Sequence, residues 1–159
     1  MRRRNIAAVA LVAIASFGIA GGAEAAKPSR MSQAERSMLV AINAARASAG
    51  VAPLRVSGSL GSAAAWQSTV LAQAGILDHT SPDGSTLIVR LARAHWRGSS
   101  AGEDLAVAPS PAEAVAMWMQ SPGHRENLLR PTFRSVGLGV ARGAWQGRTA
   151  LYVTADFGS

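Results

Sequence analysis

The chain has 159 residues, 48% of them hydrophobic, with no cysteine and a formal net charge of +7 from 16 Lys and Arg against 9 Asp and Glu. The absence of cysteine excludes disulfides and lipid attachment at a mature amino-terminal cysteine, so the folded unit stands on its core alone. All basic residues except Lys27 are arginines, and no aromatic residues are interleaved with them along a groove, which argues against nucleic acid as a partner.

Arg2, Arg3 and Arg4 precede an apolar stretch from Ile6 to Ala20, and Ala23-Glu24-Ala25 follows with the small-x-small spacing of a signal peptidase site. The stretch is shorter than the roughly 20 apolar residues of a spanning helix. Residues 1–25 therefore read as a signal peptide cleaved near Ala25, with no stable membrane anchor afterwards. The expected product is secreted or periplasmic. Residues 26–30 read as a linker and 31–159 as one domain, large enough to bury roughly two-thirds of its unfolded surface. Cleavage removes three arginines and one glutamate and leaves a net charge of +5.

Ser32-Gln33-Ala34-Glu35 has capping-box spacing and opens a helix whose apolar stripe is Met38, Leu39, Ile42 and Ala45, with Gly50 as its stop. A second helical pattern runs from about Ser59 to Ala74, rich in alanine as close packing requires, and Gly75 ends it. A loop rich in turn formers, Asp78 to Ser85, leads to a short helix from Thr86 to Ala94. Arg90, Arg93 and Arg97 are spaced to form one solvated helical face, and His95 lies at its exposed end. Ser110-Pro111-Ala112-Glu113 opens a fourth helix that turns Val115, Trp118 and Met119 inward and ends by Pro122, with a short helical turn from Glu126 to Leu129. Beyond it the period changes to two. Val136, Leu138 and Val140 make one strand face and Leu151, Val153, Ala155 and Phe157 the matching face of its partner, joined by a hairpin connection over Arg142–Gly147. Asp156 falls on the face opposite Phe157, where solvent or a loop would meet it. Gly137 and Gly139 read as positions of close packing against the sheet. Helices first and an antiparallel hairpin last give an α+β domain.

Three segments carry polar side chains where the apolar pattern breaks: His79-Thr80-Ser81-Pro82-Asp83-Gly84, Ala101-Gly102-Glu103-Asp104-Leu105-Ala106, and Trp118 through Asn127 with His124. Together with Val136-Gly137-Leu138-Gly139-Val140 and Tyr152 to Gly158, and in this order, they resemble a bacterial member of the CAP superfamily of cysteine-rich secretory, antigen 5 and plant pathogenesis-related proteins. The resemblance covers about Met31 to Ser159. It implies a three-layer α-β-α sandwich around a central antiparallel sheet and a shallow cleft. It also implies a polar cluster of two histidines and two glutamates that binds a divalent metal in some members. His79, Glu103 and His124 match three of the four positions, and Ser121 stands where the animal and plant pattern has its second glutamate. Asp104 replaces the usual asparagine beside Glu103, although neighbours on a strand point to opposite faces.

Two imidazoles, one carboxylate and a water would complete an open tetrahedral zinc site. The same three side chains can also brace a cleft wall through charge-assisted hydrogen bonds. Gly98-Ser99-Ser100-Ala101-Gly102 has the letters of a nucleophile elbow, but no strand precedes it and no helix follows. A Ser121-His124-Glu103 arrangement lacks an assignable oxyanion donor. Two function classes follow. One is an exported binding module whose cleft, with His79, Glu103, Ser121 and His124, takes a small molecule, a lipid, a peptide or a cell-envelope component. The other is a metal-assisted hydrolase or peptidase, in which His79 and His124 hold zinc and Glu103 is ligand or general base, the candidate catalytic residue. The sequence leaves the oligomeric state open.

Overall fold

A computed structural model describes residues 31–159, so the signal peptide and linker segments lie outside the described residues. Five helices and a four-stranded sheet make up this part: α1 (Gln33–Ser48), β1 (Arg55–Val56), α2 (Gly58–Ala74), α3 (Leu87–Arg93), β2 (Ala101–Ala108), α4 (Pro111–Gln120), α5 (Pro122–Leu129), β3 (Ser135–Trp145) and β4 (Arg148–Gly158). Among the described residues no helix is long and apolar enough to cross a membrane.

The capping box at Ser32 forms as its spacing predicts. The Ser32 hydroxyl accepts from the Glu35 amide at 3.2 Å, and the Glu35 carboxylate accepts from the Ser32 amide at 2.6 Å. Ser110 caps α4 in the same sense, with Pro111 in the first turn. Gly75 ends α2 in the left-handed conformation, at φ 67°. The fifth helix is longer than the turn expected from Glu126 to Leu129. The fourth helix ends before Pro122, as expected, and Pro122 itself starts α5, because a proline at the first position lacks only an amide that would be unpaired anyway. His124 consequently sits in the first turn of a helix and not in a loop.

The strand order is β1-β3-β4-β2, with β2–β4 and β4–β3 antiparallel. The two-residue β1 pairs in parallel with β3, so the sheet is antiparallel except at that edge. The turn between β3 and β4 is tighter than the hairpin connection read from Arg142–Gly147. Only Gln146 and Gly147 lie outside the strands, both at positive φ (49° and 77°), as a two-residue turn with both central residues left-handed requires. That turn makes Trp145 and Arg148 the closing hydrogen-bonded pair and so sets the phase of the whole sheet. Even-numbered residues of β4 bond to β3, odd-numbered ones to β2, and along β2 the even residues bond inward while Ala101, Glu103, Leu105 and Val107 direct their amides and carbonyls away from the sheet.

Helices cover both faces. On one side α1, α4 and α5 pack with Met38, Ile42, Val115, Trp118 and Leu128 against Val136, Leu138, Val153, Ala155 and Phe157. Phe133 stacks on Phe157 with ring centroids 5.8 Å apart. On the other side α2 lies directly on β3. A Cβ at Gly137 would come within 2.0 Å of the Leu60 backbone, and one at Gly139 within 2.2 Å of the Ala64 carbonyl oxygen. The alanines of α2 and the glycines of β3 are the two halves of one close seam. The fully buried Arg46 donates to the carbonyls of Ala52, Leu128, Arg130 and Phe133, tying the end of α1 to the exit of α5.

Candidate functional site

Glu103 lies on β2, at the edge of the sheet, on the face that carries α2 and α3. Its side chain is 2% exposed and both of its oxygens are engaged. Oε1 is 2.8 Å from Nδ1 of His79, and Oε2 accepts from Nη2 of Arg90. Arg90 also donates to the His79 carbonyl (3.0 Å), the Ser81 hydroxyl (3.1 Å) and the Ser85 carbonyl (3.0 Å). One guanidinium thus anchors the Asp78–Ser85 loop and the carboxylate that orients its histidine. Gln67 of α2 completes the anchorage, receiving the Ser81 hydroxyl at 2.6 Å and donating to the Asp78 carbonyl at 3.0 Å. The result is an imidazole held through Nδ1, with Nε2 left for a ligand, on a side chain that is 62% exposed.

This corrects the reading of Arg90, Arg93 and Arg97 as one solvated face. Arg90 is 2% exposed, Arg93 pairs at the surface with Asp83 at 2.9 Å, and Arg97 lies beyond the end of α3. Asp156 is corrected as well. It does lie on the face opposite Phe157, but there it is fully buried, directly across from Glu103, and neither of its oxygens has a hydrogen-bond partner among the described residues. The faint sequence signals for both were charged residues inside otherwise apolar runs, Leu87-Ile88-Val89-Arg90-Leu91 and Leu151 to Phe157.

Asp104 points to the opposite face, towards α5, where Nδ2 of Asn127 donates to Oδ1 at 3.0 Å and Oδ2 has no partner among the described residues. Burial pushes its carboxyl up to about 7. His79 is raised above its ordinary value, chiefly by the hydrogen bond to Glu103, against the opposing effect of partial burial. His124 is lowered, first by burial and then by the charge of His79. Ser121 is shared by the end of α4 and the start of α5, and its hydroxyl caps neither.

Ser121 and His124 line a groove of about 360 Å³ that runs along the edge of β2. Leu105, Ala106 and Val107 of β2 line it together with Leu77, Met117, Trp118 and Trp145, whereas His79 and Glu103 are not among its lining residues. Two larger hollows, one of about 700 Å³ beside α5 and one of about 410 Å³ between α1 and α2, are lined by none of His79, Glu103, Ser121 and His124. His95 is exposed just past α3, and Trp118 is core, donating its indole N–H to the Leu105 carbonyl at 2.9 Å. Ser100 precedes a strand and no helix follows, so the elbow geometry is absent.

A zinc centre with three protein ligands does not fit these residues. Glu103 is already shared between His79 and Arg90, and among the described residues no group of three or more His, Cys, Asp or Glu side chains is placed to hold a metal ion. What remains is His79, oriented by the Glu103 carboxylate, and His124, in the first turn of α5 on the groove along β2.

Residues 39–157 match the family described as the cysteine-rich secretory protein family, CAP. The chain is 32% identical over 113 residues to the uncharacterized protein YkwD of Bacillus subtilis, across 70% of this chain and 44% of that protein. Among solved structures it resembles an extracellular protein containing an SCP domain from Bacillus anthracis, with 29% identity and a TM-score of 0.64 over 77% of this chain and 39% of that one. It shares the fold of an outer surface protein of Borrelia burgdorferi, with 20% identity and a TM-score of 0.68 over 82% and 95% of the two chains. The chain spans less than half the length of its two Bacillus relatives.

Proposed function

Since the chain belongs to the CAP family, the cysteine-rich secretory proteins, we propose that it is an extracellular binding domain whose ligand lies in the groove along β2, beside Ser121 and His124. Export through residues 1–25, with cleavage near Ala25, belongs to the same reading, and the extracellular setting of the Bacillus anthracis relative supports it. The observation that carries the binding role is the state of Glu103. A carboxylate that is buried, paired with Arg90 and bonded to His79 has no free oxygen with which to activate water or hold a metal. It is a positioning residue for the His79 imidazole.

In the groove the apolar sides would supply most of the affinity, and His124 and the Ser121 hydroxyl would supply the polar contacts that orient a ligand; a ligand reaching beyond the groove past Leu77 would meet the exposed His79 ring. The test is amide and imidazole NMR of the purified domain, titrated in the presence of a chelator with dodecanoate, a muropeptide and an acetylated tetrapeptide amide. Binding by at least one probe that moves the His79, His124 and Leu105–Val107 signals is expected. Zinc-dependent hydrolysis that disappears in His79→Ala and His124→Ala would replace this reading with that of a metal-assisted hydrolase.

A further inference from the structure

The floor of the groove is a strand edge, and the hairpin phase determines which of its polar groups face outward. Glu103, Leu105 and Val107 direct both N–H and C=O away from β4. Two of these carbonyls are covered from the helical side: Nδ2 of Asn127 donates to the Glu103 carbonyl at 3.4 Å, and the Trp118 indole donates to that of Leu105 at 2.9 Å. The edge is closed at that end. Further along, the N–H of Leu105 and both the N–H and C=O of Val107 meet no partner among the described residues. They lie where Leu77, Met117 and Trp145 present apolar surface around them.

We infer that the groove binds an extended peptide as a short fifth strand, paired in the backbone with Leu105 and Val107. This rests on the proposed binding role and assigns its ligand a chemical class. The open edge offers two donors at a two-residue spacing and an acceptor beside the second, a repeat that another extended backbone matches. An acyl chain would fill the apolar sides but leave the amides unpaired, which is costly for backbone groups shielded from water. The groove of about 360 Å³ lies along Leu105 to Val107, a stretch that a short extended segment at the roughly 3.3 Å rise of a strand would parallel. Alternate side chains of such a peptide would point towards Leu77 and towards Met117, so apolar residues at every position, or at alternate ones, are the expected preference. Recessed between Leu77 and α4, the short open stretch admits a narrow peptide more readily than the sheet edge of a second folded copy.

The probe is acetyl-Val-Leu-Val-Leu-amide, added to the ¹⁵N-labelled domain, with a counterpart N-methylated at alternate residues and dodecanoate as comparisons. The unmodified peptide should shift the Leu105 and Val107 amide signals downfield and slow their hydrogen exchange, and N-methylation should weaken binding at least tenfold. Val107→Pro should keep the fold, since the N–H it removes is not part of the sheet ladder, and should bind at least tenfold more weakly. If that variant does not fold, the N-methylated peptide with the unaltered domain decides the matter. Equal binding of both peptides, or peptide shifts that avoid Leu105 and Val107, overturns strand addition. Binding of dodecanoate without peptide overturns it and leaves the groove as a ligand site. Shifts of the same amides that depend on protein concentration alone assign the edge to a second copy and overturn it too. Silence with all probes, muropeptide included, removes the groove reading as well.

Discussion

Glu103 and Asp156 stand directly opposite each other on β2 and β4, both buried, on the same face of the sheet as Arg90. Burial and the neighbouring Glu103 carboxylate raise Asp156 well above the ordinary carboxylate range, so Arg90 faces one carboxylate bonded to it and a second carboxyl that resists ionisation. The pair is therefore a charge with a reserve. Glu103→Gln should cost less than loss of a buried ion-pair partner usually does, because Asp156 can ionise in its place. Glu103→Gln combined with Asp156→Asn leaves Arg90 without any counter-ion and should cost about 3–5 kcal/mol. Urea unfolding of the two singles and the double checks this, and additive single-site losses would contradict it.

Asp104 gives the domain a pH dependence of its own. Its folded pKa, pushed up to about 7 by burial, lies above that of an unfolded aspartate. As pH rises from about 4 to about 7 the unfolded chain ionises this group while the folded chain does not, so stability falls across that window and levels off above it. Asp104→Asn keeps a carbonyl for Asn127 and removes the ionisation. The variant should be more stable than the parent at pH 8 by a few kcal/mol, and about equal at pH 4. Thermal melts across that range measure the difference.

His79 and His124 should titrate apart, His79 above the ordinary value of 6.5 and His124 below it. For His79 the raised pKa means that its pairing with Glu103 stabilises the fold fully below the unfolded pKa and that the contribution fades as pH rises through the folded one. Replacing His79 by Gln removes one cause of the His124 shift, so the His124 titration should move up. Imidazole NMR resolves both curves, and an unchanged His124 would show that the two rings do not share a cleft.

Gly139→Ala should be among the most damaging single-methyl changes, because its Cβ would press on the backbone of α2 at Ala64. Forcing the helix off the sheet costs about 1–3 kcal/mol or more. Gly61→Ala, on the helix itself with nothing within 4 Å of the added carbon, should instead stabilise by about 0.5–1 kcal/mol. Denaturant midpoints of the two variants separate packing from propensity.

Most of the layers were legible in the sequence. Capping-box spacing at Ser32 and Ser110 located two helices, and the alternation from Leu151 to Phe157 identified the core face of the last strand. Pro122 marked the end of α4 correctly, and the start of α5 at the same residue was missed because a proline that ends one helix can also open the next. His79, Glu103 and His124 stood out as rare polar residues at breaks in the pattern. Arg90 and Asp156 did not, because what buries them is register. Only when β2 lies against β4 does Glu103 face Asp156, and only when α3 folds over that edge does Arg90 reach both Glu103 and the His79 loop. Such contacts join residues of separate elements, beyond the reach of any local period.

Arg46 gathers the carbonyls of Ala52, Leu128, Arg130 and Phe133 around one buried guanidinium, and Arg90 ties two carbonyls of the Asp78–Ser85 loop to the Glu103 carboxylate on β2. In a family named for its cysteines, this chain has none and joins distant segments through arginine instead. Its architecture is therefore indifferent to redox conditions. The domain should reach the same fold in a reducing cytoplasm as outside the cell, without an oxidant or a disulfide isomerase, and reductants should leave its stability unchanged.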